Sequence, residues 1–195
     1  MKQIKSILVI GNGMVGYKFC EKFVAKETTQ NFKITVFGEE PRPAYDRVHL
    51  SEFFENGDAK ALEMAPRSWY EEHNIELITN ERVTDIHRAS RTITTINDKT
   101  FRYDYLVLAT GTTTNFFGMD NVADNSLGMK DISASLNIRH LMLQNLEQAA
   151  ITCDDDERDA NGFIVVGGSR GHLWKSAVGC RFPFVGSQFR KPASR

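Results

Sequence analysis

Only three cysteines stand in this 195-residue chain, Cys20, Cys153 and Cys180, and no two share a CxxC spacing. That scarcity excludes a disulfide framework, a cysteine metal cage and a paired redox disulfide, and leaves the three as buried or incidental thiols. The five histidines, His49, His73, His87, His140 and His172, form no ligand pair at helical spacing, so the sequence gives metal catalysis no support. Asp154-Asp155-Asp156-Glu157 lacks the interleaved glycine of a calcium loop and reads as a helix start, where acids suit the positive end of the dipole. No apolar run approaches the roughly 20 residues of a membrane span. The run Ile7–Ile10 is shorter than a signal-peptide core of about 7–15 residues, and the chain is expected to be cytoplasmic.

Acids are missing from one stretch. Residues 170–195 carry six basic groups and no acidic one, against three and nine in 111–169 and 15 and 16 in 1–110. A basic arm for nucleic acid could share that balance. Here Trp174, Phe182, Phe184 and Phe189 are mixed with glycines in no helical or alternating period, and no nucleic-acid partner is expected.

What is present is a chain long and apolar enough, at 41% hydrophobic residues, to bury the core of one domain and more. It is organised around Ile7-Leu8-Val9-Ile10-Gly11-Asn12-Gly13-Met14-Val15-Gly16, an apolar run that breaks into glycines and resumes at helical spacing through Phe19, Cys20, Phe23 and Val24. In a dinucleotide-binding turn Gly11 permits the tight bend, Gly13 lets main chain approach a pyrophosphate, and Gly16 lets helix and strand pack closely. The phosphates lie at the helix N-terminus, whose first residue is Met14, because free N–H groups point there. A second strand, Phe32–Phe37, ends in Gly38-Glu39-Glu40 and sets an acid about 20 residues beyond the last glycine, as a ribose hydroxyl needs. Either Glu39 or Glu40 meets that requirement.

Further along, Ser51 reads as the cap of a helix over Glu52–Glu55, Asn56-Gly57-Asp58 as its break, and Pro66 as the opening of a helix over Arg67–His73. Ile75–Ile78 and Glu81–Ile86 read as strands. Arg91–Ile96 alternates with period two, Asn97-Asp98 turns and Thr100–Tyr103 returns, the pattern of a β-hairpin insert. Tyr105-Leu106-Val107-Leu108-Ala109 is continuously apolar, as a strand buried on both faces of a parallel sheet would be, and ends in Thr110-Gly111. Asp131 to Ala150 reads as an amphipathic helix with Leu136, Ile138, Leu141, Met142, Leu146 and Ala149 on its apolar face and Asp131 or Ser133 as cap.

The loop Glu40-Pro41-Arg42-Pro43-Ala44-Tyr45-Asp46-Arg47-Val48-His49-Leu50-Ser51, taken with the glycine turn, resembles the flavin-binding N-terminus of the NADH-dependent nitrite reductase large subunit. More broadly the chain resembles the pyridine nucleotide-disulfide oxidoreductase-like flavoproteins, ferredoxin and rubredoxin reductases included. The resemblance implies an α/β fold: a Rossmann-like FAD-binding domain, a parallel sheet with an antiparallel β-insert, truncated before the NADH-binding domain. It implies FAD as cofactor, with NAD(P)H as the reductant of a complete relative and nitrite or quinone as electron acceptors among relatives. It places Gly11, Gly13, Met14, Gly16 and the following acid at the ADP half of FAD, Arg47 on the flavin side, main chain near Val83 at the adenine, and Ala109, Thr110 and Gly111 as a second flavin-contacting turn. Glu52 stands where ferredoxin-type reductases often have lysine, in agreement with the nitrite-reductase pattern. The alternative for Arg47 is a surface ion pair with Glu39, Glu40 or Asp46.

From Thr114-Asn115-Phe116-Phe117-Gly118 onward, through Met129-Lys130-Asp131 and Asn137-Ile138-Arg139, the resemblance passes to type II NADH:quinone dehydrogenase and holds to about residue 168. A natural relative, a recombinant or an assembly artefact would each give this junction. The expected organisation is a first FAD-binding segment at 1–118, a helical connection at 119–160, the first strand of an NADH-binding domain at 161–168 and an aberrant basic tail at 169–195. That strand, ending Val166-Gly167-Gly168, is followed by Ser169 and His172 where a second glycine turn needs glycines, so the tail reads as translated out of frame. No siroheme or iron–sulfur cysteine set is present. Two rivals remain: a short oxidoreductase using the first turn for NAD(P), and a non-catalytic flavin-binding or inert fragment.

Overall fold

The structure is a computed structural model that describes residues 4–26, 31–124 and 126–151. The acidic run 154–157, the strand at 161–168, the tail, Cys153 and Cys180 therefore lie outside the described residues. The chain divides into two compact units, Met1–Leu136 and Asn137–Arg195.

The first unit is built on β1 (Lys5–Ile10), α1 (Met14–Val24), β2 (Phe32–Phe37), α2 (Leu50–Asn56), α3 (Arg67–Glu72) and β3 (Ile75–Ile78). A hairpin sheet of β4 (Val83–His87), β5 (Thr92–Thr95) and β6 (Thr100–Arg102) follows, then β7 (Tyr105–Leu108) and α4 (Asp120–Asp124). Strands β3-β2-β1-β7 form one parallel sheet, and β4-β5-β6 an antiparallel one. The expected parallel sheet with antiparallel insert is what the chain forms.

Two-residue periodicity splits β1 between two cores. Ile7 and Val9 pack with Tyr17 and Cys20 of α1 and Tyr70 of α3, whereas Leu8 and Ile10 join Phe37, Ile93 and Tyr103 toward the hairpin sheet. Burying each such aliphatic side chain contributes about 1.5–3 kcal/mol over leaving it exposed. The sheet is thereby held between helices on one face and the insert on the other. Cys20 is fully buried, and that burial pushes its thiol pKa up to about 12, so it packs as a small apolar group.

Several expectations need correction. β7 is not buried on both faces: among the described residues it pairs only with β1, at the edge of the sheet, and Leu108 is 62% and Tyr105 48% exposed. An apolar run records the covering layer a strand is suited to, and no described residue supplies that layer on Leu108. α2 starts at Leu50 after His49, not after Ser51. Its first turn closes through the Glu52 N–H donating to the His49 carbonyl, and buried Leu50 anchors that turn in a cluster with Tyr45, Phe53, Leu62 and Ile132. Gly57, at φ +73°, ends the helix as expected.

A last helix, α5 (Ile132–Ile151), begins at the end of the first unit. Asp131 is its cap, accepting from the Ala134 N–H at 2.7 Å, while Ser133 is exposed and makes no such bond. The apolar face expected of it is only partly covered: Ile138 is buried, whereas Leu136, Leu141 and Leu146 are exposed. Among the described residues no helix is long and apolar enough to cross a membrane.

Candidate functional site

The carboxyl ends of the parallel strands are stitched into one rim. The Ala109 N–H donates to the Ile10 carbonyl at 2.8 Å, the Gly11 N–H to the Phe37 carbonyl at 2.9 Å, and the Gly38 N–H to the Ile78 carbonyl at 2.8 Å. The rim therefore carries, side by side, the turns Gly11–Gly13, Gly38–Glu40 and Ala109–Gly111. β1 is flanked by β2 on one side and β7 on the other, so the chain reverses its order across the sheet there, where open α/β sheets take their ligands.

The three glycines of the first turn have separable physical roles. Gly11 adopts φ +106°, and a Cβ there would lie 2.2 Å from the Ala109 carbonyl oxygen. A Cβ on Gly16 would lie 2.0 Å from the Gly11 oxygen, so this glycine sets how closely α1 approaches the strand exit. Gly13 caps α1 with no side-chain bond, has an ordinary extended backbone, and would meet nothing within 4 Å if given a Cβ. The first helical bond is from the Tyr17 N–H to the Gly13 carbonyl, which leaves the N–H groups of Met14 and its neighbours in the first turn without helical partners. A glycine unneeded by the fold, beside unpaired donors, fits an anionic dinucleotide. Gly111, at φ +77° with open space around it, likewise leaves main chain accessible beside exposed Thr110.

The two acids after β2 are distinguished by their partners. Glu40 accepts from the Tyr45 hydroxyl at 2.8 Å and is ion-paired with Arg47. Arg47 also donates to the Lys130 carbonyl at 2.7 Å and lies over the Tyr45 ring, 5.0 Å from its centroid. Burial first, and Glu40 second, push the Tyr45 phenol above its ordinary pKa. Among the described residues Glu39 is paired only with Arg82, at 3.7 Å, with both side chains more than 60% exposed. Such a pair contributes about 0.2–1 kcal/mol and yields readily to another partner. Arg47 thus has an acidic partner, and it is Glu40.

Val83 opens β4, half-buried against the cluster that contains Leu8, Ile10 and Phe37, one residue from the Arg82 that reaches Glu39. Just before it, Glu81 is almost fully buried and accepts from Thr95 at 2.5 Å, Asn97 at 3.0 Å and Lys99 at 3.1 Å. These bonds, that from Thr95 foremost, hold its carboxyl below the ordinary glutamate pKa. Its main-chain N–H donates to the Gly38 carbonyl at 3.0 Å, so Glu81 ties the hairpin sheet to the acid turn. Reading the sequence did not single out Glu81, whose partners become neighbours only once the hairpin closes.

A parallel sheet whose glycine turn, acid turn and small-residue turn share one rim defines a dinucleotide-binding domain of the Rossmann-like oxidoreductase class. Residues 5–170 match the family pyridine nucleotide-disulphide oxidoreductase, and the chain belongs to that family. It is 45% identical over 105 residues to the nitrite reductase (NADH) large subunit of Escherichia coli strain K12, covering 54% of this chain and 12% of that protein. It is 41% identical over 110 residues to the NAD(P)H nitrite reductase of Bacillus subtilis strain 168, covering 55% and 13%. The matched stretch is thus a small part of those relatives. Among solved structures, NADH:rubredoxin oxidoreductase from Clostridium acetobutylicum superposes with a TM-score of 0.62 at 23% identity, over 72% of this chain and 36% of that one. NDH2 from Plasmodium falciparum, solved with NADH, superposes with 0.67 at 20% identity, over 80% and 32%. These two likenesses are of fold.

Proposed function

We propose that this chain is the FAD-binding portion of an NAD(P)H-dependent flavoprotein oxidoreductase, working in the cytoplasm. The observation that carries this is the contrast within one turn: Gly11 and Gly16 are pinned by main chain at 2.2 and 2.0 Å, whereas Gly13 between them faces open space. Two glycines serve the fold and the third keeps a path clear.

In this reading the first-turn N–H groups at Gly13 and Met14 bind the pyrophosphate, and Ala109, Thr110 and Gly111 let main chain come close to the flavin side. Glu39 accepts from the adenosine ribose, because Glu40 is already committed to Tyr45 and Arg47. Arg47, steadied by Glu40 and the Lys130 carbonyl, is a planar donor held beside the cofactor. Main chain at Val83 borders the adenine. The flavin, when bound, supplies the two-electron chemistry that no side chain here possesses, and the chain's own residues bind it, orient it and keep water from it. The organisation we propose has segment 1–118 as the cradle, 119–160 with α4 and α5 as connection, 161–168 as the start of an NADH-binding domain, and 169–195 as an out-of-frame tail.

The test is the visible spectrum of the purified chain after mixing with FAD and desalting. Bound flavin absorbs in the visible and bound NAD does not. A colourless protein that retains NAD would replace this reading with a short NAD(P) oxidoreductase. NADH added to the flavin-loaded chain should leave the flavin oxidised, because a near-attack arrangement with nicotinamide supplies several kcal/mol of the rate and needs the second domain. Bleaching at reductase rates would refute the fragment assignment.

A further inference from the structure

Three segments distant in sequence meet at one side chain between the glycine turn and the acid turn. Tyr70 of α3, fully buried, donates its O–H to Asn12 Oδ1 at 3.0 Å. Buried Ala44 packs in the same cluster as Tyr70. Burial holds the Tyr70 phenol above its ordinary pKa, so it keeps its one proton, and that proton needs an acceptor. The amide of Asn12 is thereby fixed with its carbonyl toward Tyr70 and its nitrogen turned away.

That nitrogen, Nδ2, is buried and has no partner among the described residues. It faces the acid turn. A Cβ built on Gly38 would lie 3.1 Å from Asn12 Cβ, 3.9 Å from Nδ2 and 3.8 Å from the Glu40 main-chain oxygen. The hydrogen of glycine therefore leaves a small space bordered by an unused donor and a carbonyl. The Glu40 oxygen accepts one bond, from the Asn80 N–H at 3.2 Å, and keeps a second lone pair.

We propose that Asn12 is a positioning residue of the nucleotide site: oriented by Tyr70, its amide N–H takes the Glu40 carbonyl when an adenosine ribose engages Glu39, and so locks the acid turn against the glycine turn. The inference rests on the FAD reading above. It gives Gly38 a reason to lack a side chain, since a methyl group would occupy the space the new bond crosses. It also makes the ribose grip depend on Tyr70, 58 residues from Asn12.

The experiment titrates FAD and ADP against the full chain carrying Asn12→Ala, Asn12→Ser, Tyr70→Phe, Glu39→Gln or Asn12→Ala with Glu39→Gln, and records melting temperature beside each affinity. Amide hydrogen exchange at residues 38–40 is followed with and without ADP. Asn12→Ala and Tyr70→Phe should each weaken both nucleotides about tenfold, the order of one hydrogen bond. Asn12→Ser, which keeps a donor, should recover part of that loss. The double variant should bind no more weakly than Glu39→Gln alone, and the protection that ADP confers on residues 38–40 should vanish in Asn12→Ala. Wild-type ADP affinity in Asn12→Ala, or losses that add in full with Glu39→Gln, would overturn the role whatever the melting temperatures. Should Asn12→Ala fail to fold, Tyr70→Phe, which removes only a hydroxyl, decides by the same criteria. A wild-type chain that binds neither nucleotide refutes the cofactor reading itself, whereas wild-type binding with unaffected variants refutes only Asn12.

Discussion

Valine in place of Gly13 separates what the fold requires from what the ligand requires. A Cβ at position 13 meets no atom within 4 Å and the backbone there is extended, so the branch point itself is placed without collision or backbone strain. The one structural loss is at the helix cap, where a branched aliphatic residue is about 0.5–1 kcal/mol worse than glycine. In a domain of this size that lowers Tm by a few degrees. Nucleotide binding should suffer more, because the valine stands beside the first-turn N–H groups where the pyrophosphate must arrive. Forcing branched bulk into a close contact costs about 1–3 kcal/mol, a loss of roughly 5- to 150-fold in Kd. The assay is a flavin titration followed by visible absorbance, run with thermal melts on the same preparations. Unchanged FAD affinity in Gly13→Val would remove the cradle, and a collapse of the melting transition would show that Gly13 serves the fold after all.

Gly16→Ala should behave oppositely. The gain of about 1 kcal/mol in helix propensity is outweighed by a Cβ placed 2.0 Å from the Gly11 oxygen, main chain against main chain, so the variant should melt well below wild type; equal melting would refute the close-packing role. Glu39→Ala should weaken FAD by roughly 1.5–3 kcal/mol, whereas Glu40→Ala should chiefly loosen Arg47 and Tyr45 and appear in stability; the reverse pattern would exchange their assignments. Glu81 has its pKa lowered in the fold, so the stability it contributes is present above the ordinary glutamate value of about 4.3 and is lost as pH falls through its lower folded value; acid denaturation curves of Glu81→Gln should lose that component, and an unaltered curve would refute it. Deleting residues 170–195 should leave FAD affinity unchanged, and a loss of folding would give the tail a function of its own.

The glycine turn was legible because its spacing is a steric specification: the structure brings main chain close at Gly11 and Gly16, while the space at Gly13 stays open, so its part in binding rests on the cofactor test. Strands and hairpin were legible from periodicity for a similar reason. Coverage was not, since Tyr105–Leu108 reads the same whether or not a layer lies on it, and the Leu136, Leu141 and Leu146 stripe of α5 likewise. Partner choice was not legible either. Nothing in Glu39-Glu40 distinguishes the acid held by Tyr45 and Arg47 from the one left to Arg82, and the Asn12–Tyr70 bond has no signal shorter than the fold itself.

The edge position of β7 has a consequence for handling the molecule. Among the described residues nothing pairs with the outer side of β7, which leaves a row of main-chain donors and acceptors there, and Leu108 adds an exposed apolar side chain at the same place. Such an edge accepts any extended segment that offers the complementary ladder, another copy included. Colloidal behaviour will therefore depend on concentration in a way that the near-neutral net charge of −1 does little to oppose. In any form of the chain that leaves this edge uncovered, the same four residues that seat the Ala109–Gly111 turn are where self-association should begin, and a lysine on that strand is a more direct remedy than any change of buffer.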